Sequence, residues 1–336
     1  MALSYLSGIT ANRSYLVSVA PPDRQTVLQL YTGLLRSNDD YYILDLTLAP
    51  RRSADLLLIL VTAIWGTTFL LVQKSLSDIS PLAFLACRFS LAAAVLFLLN
   101  RRSLARAAIL PGIVTGLFLF AGYAFQTIGL QSTTASKSAF LTSLSVPMVP
   151  FAAALVYRKA PGRREILGLV FASVGMLLLT VPNRLEQISR GDLLSFFCAV
   201  SFAAQVVAVS YYAGRGNFGT FVTTQMITVT ILSLATCRWV ELFVFHLNRP
   251  VLIAVAVTGL LATALAFSIQ AWAQQYTTVN RAAVIYALEP VFAWLTSFLV
   301  LGEILSFRAT LGAVLILFGI LIVELKRSSG QLHQIS

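Results

Sequence analysis

Between Ala54 and Leu325 the chain is a succession of apolar runs, each close to twenty residues long, separated by short polar loops. At a rise of about 1.5 Å per residue, a run of that length crosses the roughly 30 Å hydrocarbon layer of a bilayer. A water-soluble fold has no use for so many of them, because it would lack the polar surface to cover them. Only 11% of the 336 residues are charged and the mean hydropathy is +0.83, whereas soluble domains carry about a quarter charged residues. The chain therefore reads as an all-α integral membrane protein, with the lipid bilayer as its first partner.

The expected spans are 54–73, 81–99, 108–128, 136–157, 165–182, 192–212, 219–237, 251–272, 279–301 and 306–325, ten in all. The net charge of +11 does not point to nucleic acid, because the Lys and Arg residues sit mostly in loops between the runs. With both termini inside, thirteen basic residues near span ends fall inside (Arg51, Arg101 and Arg163 among them) and seven outside, such as Lys74, Lys137 and Arg249. Cytoplasmic loops carry the excess of basic residues, so both termini are expected in the cytoplasm. Residues 1–53 contain Pro21-Pro22 and Asp39-Asp40 and no spanning run. They read as an N-terminal cytoplasmic extension, poorly ordered or the product of a mis-assigned start, and 326–336 as a cytoplasmic tail.

The most informative feature is internal. Shifted by 144 residues, the sequence matches itself: Gln126 falls on Gln270, Gln131 on Gln275, Thr133-Thr134 on Thr277-Thr278, Leu167-Gly168 on Leu311-Gly312 and Gly175 on Gly319. Nearer the start, a shift of 137 sets Asp55-Leu56-Leu57 on Asp192-Leu193-Leu194. The expected domains are one repeat over 54–182 and a second over 192–325, five spans each. An odd number of crossings makes the second copy enter from the opposite side, so the two five-helix repeats are inverted. That architecture is frequent in secondary transporters, where the halves exchange conformations around a central site. A structural or receptor-like protein gains nothing from the inversion.

Several stretches resemble the EamA transporters of the drug/metabolite transporter superfamily: "AIWGTTFL" in span 1, "PLAFLACRFSLAA" in span 2, "GLQSTTASKSAFLTSLSVP" across spans 3 and 4, "ALEPVFAWLTSFLVLGE" in span 9 and "GAVLILFGILIV" in span 10. The resemblance covers about residues 54–326 and rests on the order and spacing of the motifs together. It implies a transporter of a small metabolite (an amino acid, a derivative or a drug-like compound) across the plasma membrane, commonly by efflux. One departure is visible: Gly302-Glu303 follows the fourth span of the second repeat, but Arg158-Lys159 stands there in the first.

Helix breakers at corresponding positions of the two halves point to a transporter's site. Span 4 has Pro147 and Pro150, and span 9 has Pro290; each is expected to free a backbone carbonyl or to shape packing. Beside Pro290, Glu289 lies about 15 Å along its span, where a charge costs roughly 3 kcal/mol. It must face the bundle interior or a wet cavity, as a proton-coupling group, a counter-ion to a substrate amine, or a partner to Arg88, the other deep charge. Helical spacing puts Tyr286 on the stripe of Glu289. The repeat equivalents of these two in span 4 are Thr142 and Ser145. Gln126 in span 3, Gln270 in span 8 and Trp65 in span 1 complete the expected substrate-binding or coupling set.

Gly112 and Gly116 form a GxxxG pair, and Gly168 with Ala172 a second small-residue pair; such pairs let helices approach closely, within one chain or in a dimer. An intramembrane enzyme is the weakest class. The only histidines are His246 and His333, Cys87, Cys198 and Cys237 have no pair spacing, and no glycine-rich phosphate loop occurs. No metal or cofactor is expected. The expected partners are a small-molecule substrate and, as a further candidate, a proton, in a monomer or homodimer.

Overall fold

A computed structural model describes residues 50–133, 138, 141–180, 189–240, 243–246, 248–301 and 306–324. Residues 1–49, the tail 326–336, Lys137 and Gly302-Glu303 lie outside the described residues. All described residues belong to the unit Leu46–Ser336.

The described residues are helical and contain no strand. α1 runs Pro50–Ser75, α2 Pro81–Asn100, α3 Ile109–Gly129, α4 Ser145–Tyr157, α5 Arg163–Thr180, α6 Arg190–Tyr212 and α7 Phe218–Val240. α8 runs Arg249–Ala273, with a π-helical segment at Leu260–Leu265. α9 is Val279–Tyr286, α10 Glu289–Leu301 and α11 Phe307–Glu324. Among the described residues, six helices (α1, α2, α3 with the preceding 3-10 turn, α6, α7 and α8) are long and apolar enough to cross a membrane. The span expected over 279–301 is two helices, and α1 starts four residues before the expected Ala54.

Local chemistry sets the starts. Ser189 and Asp192 cap α6 reciprocally, side chain to backbone in both directions, which satisfies two donors that a helix start leaves orphaned. Asn248 accepts from the Val251 N–H to open α8, and Thr278 from the Arg281 N–H to open α9. Pro81 begins α2, where its missing N–H costs nothing.

The bundle has an apolar interior and also turns large apolar side chains outward. Leu155 is 82% exposed and Trp239 88%, whereas Gln205, Gln225 and Gln270 are buried. Apolar side chains turned outward suit lipid, and amides turned inward are costly wherever they find no partner within the bundle. The most extensive helix pairings are α5 with α11, α3 with α6, α2 with α7 and α3 with α7. Glycines permit the first and last. A Cβ on Gly168 would lie 2.7 Å from the Gly319 carbonyl oxygen, and Cβ atoms on Gly112 and Gly116 would meet Thr224 and Thr228 of α7 at 2.6 and 2.7 Å. The GxxxG pair thus packs within the chain.

The sequence repeat is repeated in the backbone. Leu144 N–H donates to the Leu141 carbonyl, and 144 residues later Leu288 N–H donates to Ile285, each an i to i−3 bond that tightens the turn. Met148 then bonds to Leu144 and Phe292 to Leu288. At the ends of α3 and α8, Leu130 bonds to Gln126 and Gln131 to Ile128, as Gln274 does to Gln270 and Gln275 to Trp272.

Candidate functional site

The tightened turns locate the site. α4 opens at Ser145 and α10 at Glu289, so two repeat-equivalent residues each begin a helix directly after the same kind of turn. A carboxylate in the first turn is favoured by the helix dipole. Pro147 and Pro290 also sit in these first turns, where a missing N–H leaves no helical bond unmade. Only Pro150 lies farther inside its helix. Pro147 and Pro290, read from the sequence as helix breakers, stand where a second helix starts.

α1 lies directly over the second turn. A Cβ on Gly66 would stand 2.7 Å from the Glu289 carbonyl oxygen and 2.8 Å from the Ala293 nitrogen, so the two backbones touch there. The neighbouring Trp65 is held by its indole Nε1–H, which donates to the Ala262 carbonyl at 2.9 Å. Ala262 is in the π-helical segment of α8, and such a segment displaces carbonyls from the regular ladder. The same oxygen accepts from Arg88 Nη2 at 3.3 Å, while Arg88 Nε donates to Thr263 Oγ1 at 2.6 Å and Nη2 to the Tyr123 hydroxyl at 3.2 Å. The guanidinium also lies 4.7 Å from the centroid of the Tyr123 ring, a favourable cation–π arrangement.

Between these groups is a cavity of about 100 Å³, room for several water molecules or part of a small solute. Its wall is composed largely of residues paired by the repeat: Gln126 with Gln270, Tyr123 with Phe267 and Ser145 with Glu289 at 144 residues, and Trp65 with Phe202 and Thr68 with Gln205 at 137. Arg88 and Tyr286 also line it. The Gln205 and Gln270 amides bond each other reciprocally at 3.2 and 3.4 Å. The Tyr286 hydroxyl accepts from Gln274 Nε2 at 3.1 Å. The half-buried Glu289 carboxylate has neither a hydrogen bond nor an ion pair among the described residues, and Arg88 bonds elsewhere.

Seven of the expected residues thus meet on one wall: Trp65, Arg88, Gln126, Ser145, Gln270, Tyr286 and Glu289. Thr142 does not; it donates to Cys198 Sγ at 3.7 Å, off the cavity. Tyr123, Phe202, Gln205 and the Ala262 carbonyl are additions that the sequence reading missed. The repeat registers could have found the first three, because their partners Phe267, Trp65 and Thr68 are visible in the sequence. The π-helical segment has no such signal.

The model of the EamA-like transporter family matches the chain twice, over residues 52–181 and 189–325. An uncharacterized transporter of Archaeoglobus fulgidus is 37% identical over 276 residues, covering 82% of this chain and 87% of the relative. The uncharacterized transporters YyaM and YoaV of Bacillus subtilis are 26% and 24% identical, covering 88% and 94% of the relatives. A solved chain described only as "Crystal structure of protein" superposes with a TM-score of 0.70 at 19% identity, covering 82% of this chain and 98% of that one, a likeness of fold alone. Two matches of one model, with a relative alike over most of its length, place this multi-pass membrane protein in the EamA-like transporter family.

Proposed function

We propose that the chain is a secondary transporter that moves a small metabolite across the plasma membrane by alternating access, with ten spans arranged as two inverted five-helix repeats. The observation that carries this reading is the set of five repeat-related residue pairs around one cavity. In it α9 and α10 together form one span, matching Leu141–Tyr157 in the first half. The membrane-inverted copies then bring equivalent positions to a single central site, as an exchange of conformations between halves requires.

Polar contacts pin both ends of the bundle. In this topology the cavity residues Trp65, Thr68 and Arg88 lie toward the outer side and Phe202, Gln205, Phe267 and Gln270 toward the inner, and at the outer end Asp78 accepts from Asn248 and Asp192 from Thr133. At the opposite, cytoplasmic end, Arg281 of α9 pairs with Asp55 of α1, and Glu165 of α5 accepts from Thr278 and Asn280. Glu289 serves as the substrate-contacting or coupling group, and efflux of an amino acid, a derivative or a drug-like compound is the direction and class we assign.

Two measurements test the reading. In liposomes, wild type and Glu289→Gln are compared for flux of candidate amino acids with and without a pH gradient; equal flux removes Glu289 from the mechanism. Separately, single cysteines at Arg102 and His246, in a background lacking the three native cysteines, are labelled from each side of the membrane. Labelling from opposite faces is expected, and labelling from the same face ends the inverted-repeat reading.

A further inference from the structure

We propose that the cavity recognises a protonated organic amine, with Glu289 as its counter-ion and Trp65, Phe267 and Tyr286 as an aromatic wall. The inference rests on the transporter reading and adds the charge of what is carried.

A carboxylate inside a membrane bundle is costly unless something compensates its charge. The nearest candidate from sequence was Arg88, but its guanidinium donates to Thr263, Ala262 and Tyr123 and lies against the Tyr123 ring. No ion pair joins it to Glu289 among the described residues. The carboxylate therefore stands on the cavity wall with its acceptor capacity unused, and a cationic solute would use it.

Trp65 lies 5.3 Å from Phe267 and 5.7 Å from Tyr286, centroid to centroid, both at tilted angles. Tyr123 stands 6.3 Å from Phe267 on the other side. Aromatic faces carry negative partial charge and attract ammonium groups, most strongly where water is excluded. The bond from Trp65 to the Ala262 carbonyl orients the indole before any solute arrives, which reduces the ordering cost of binding. Arg88 stands on the same wall, but its donors are engaged by Thr263, Ala262 and Tyr123. The open charged partner is therefore the Glu289 carboxylate, which an anion does not satisfy and a neutral solute leaves to proton uptake.

The test uses purified protein in detergent and matched probes: benzylamine against benzyl alcohol, and phenylalanine against 3-phenylpropanoate. A solute that binds the folded state raises its unfolding temperature. Both amine-bearing probes are expected to do so, and their amine-free partners to bind at least roughly tenfold more weakly, as the loss of a charge-assisted hydrogen bond implies. Glu289→Gln removes the preference and Glu289→Asp retains it; if neither variant folds, Trp65→Leu is expected to weaken the amine-bearing probes selectively. Equal binding within each pair, no binding of either amine, or a preference that survives Glu289→Gln overturns the proposal. Amine preference without flux in liposomes overturns the transport reading alone, and flux without amine preference overturns this inference alone.

Discussion

Arg281 grips Asp55 at two points, Nε on Oδ1 at 3.0 Å and Nη2 on Oδ2 at 2.6 Å. Both side chains are only 6% exposed. Thr277 adds a bond to the same Oδ1 at 3.2 Å, and Arg281 Nη1 reaches the Val323 carbonyl at 3.2 Å. The fork therefore ties α1, α9 and α11 together. The repeat-related Asp192 accepts from Thr133 and caps its own helix, so an aspartate bonded to a threonine stands at the start of each matched segment.

Breaking one partner of a buried pair leaves an uncompensated charge and costs about 3–5 kcal/mol. Asp55→Asn is expected to lower the unfolding temperature in detergent clearly. Arg281→Lys, which keeps the charge but loses the two-point geometry, should fall between it and wild type. Wild-type stability in Asp55→Asn would mean that the pair does not lock these helices.

Ser145 and Glu289 hold equivalent places but carry different chemistry, so their truncations should differ. Glu289→Gln removes a charged contact of roughly 1.5–3 kcal/mol and is expected to lower flux tenfold or more, whereas Ser145→Ala removes about 1 kcal/mol and roughly fivefold at most. Initial rates in liposomes decide between them. Equal losses would indicate that the site treats its halves alike.

Gly66 touches no solute, yet a methyl there collides with the backbone of Glu289 and Ala293. Gly66→Ala should displace the start of α10 and destabilise by about 1–3 kcal/mol, the usual cost of overpacking. Flux should fall with it, although every cavity side chain is retained. Unchanged flux and thermal stability would show that α1 can slide clear.

Gln225 is fully buried, and neither atom of its amide has a hydrogen-bond partner among the described residues. An unmet buried amide costs about 1–3 kcal/mol. Gln225→Leu, which conserves most of the volume, is expected to raise the unfolding temperature, and Gln225→Ala to lower it by leaving a void. A fall with Leu would show that the amide is bonded in the membrane.

Much of this site was legible before any coordinates. The 144-residue register aligned Gln126 with Gln270, and the cost of a mid-span carboxylate singled out Glu289. Thr142 was expected on the wall only as the repeat equivalent of Tyr286. Both halves carry the same tightened turn, at Leu144 and Leu288, but the shorter Thr142 side chain bonds to Cys198. Arg88, expected as a partner to Glu289, bonds instead to Tyr123 and to Ala262 and Thr263 of a π-helical segment that residue spacing does not announce.

Hydrophobic run length, basic-residue placement and self-similarity by themselves determined a membrane-embedded helical chain built from two related halves, because lipid imposes those patterns on any chain that crosses it. Only the tertiary structure decided which polar groups answer each other. That Arg88 turns to Thr263 and Ala262, that Arg281 seals Asp55, and that Glu289 is left facing the cavity depend on distances of a few ångströms between helices far apart in sequence. Hydrogen bonding and ion pairing are short-ranged and directional, so they are settled by packing and not by composition.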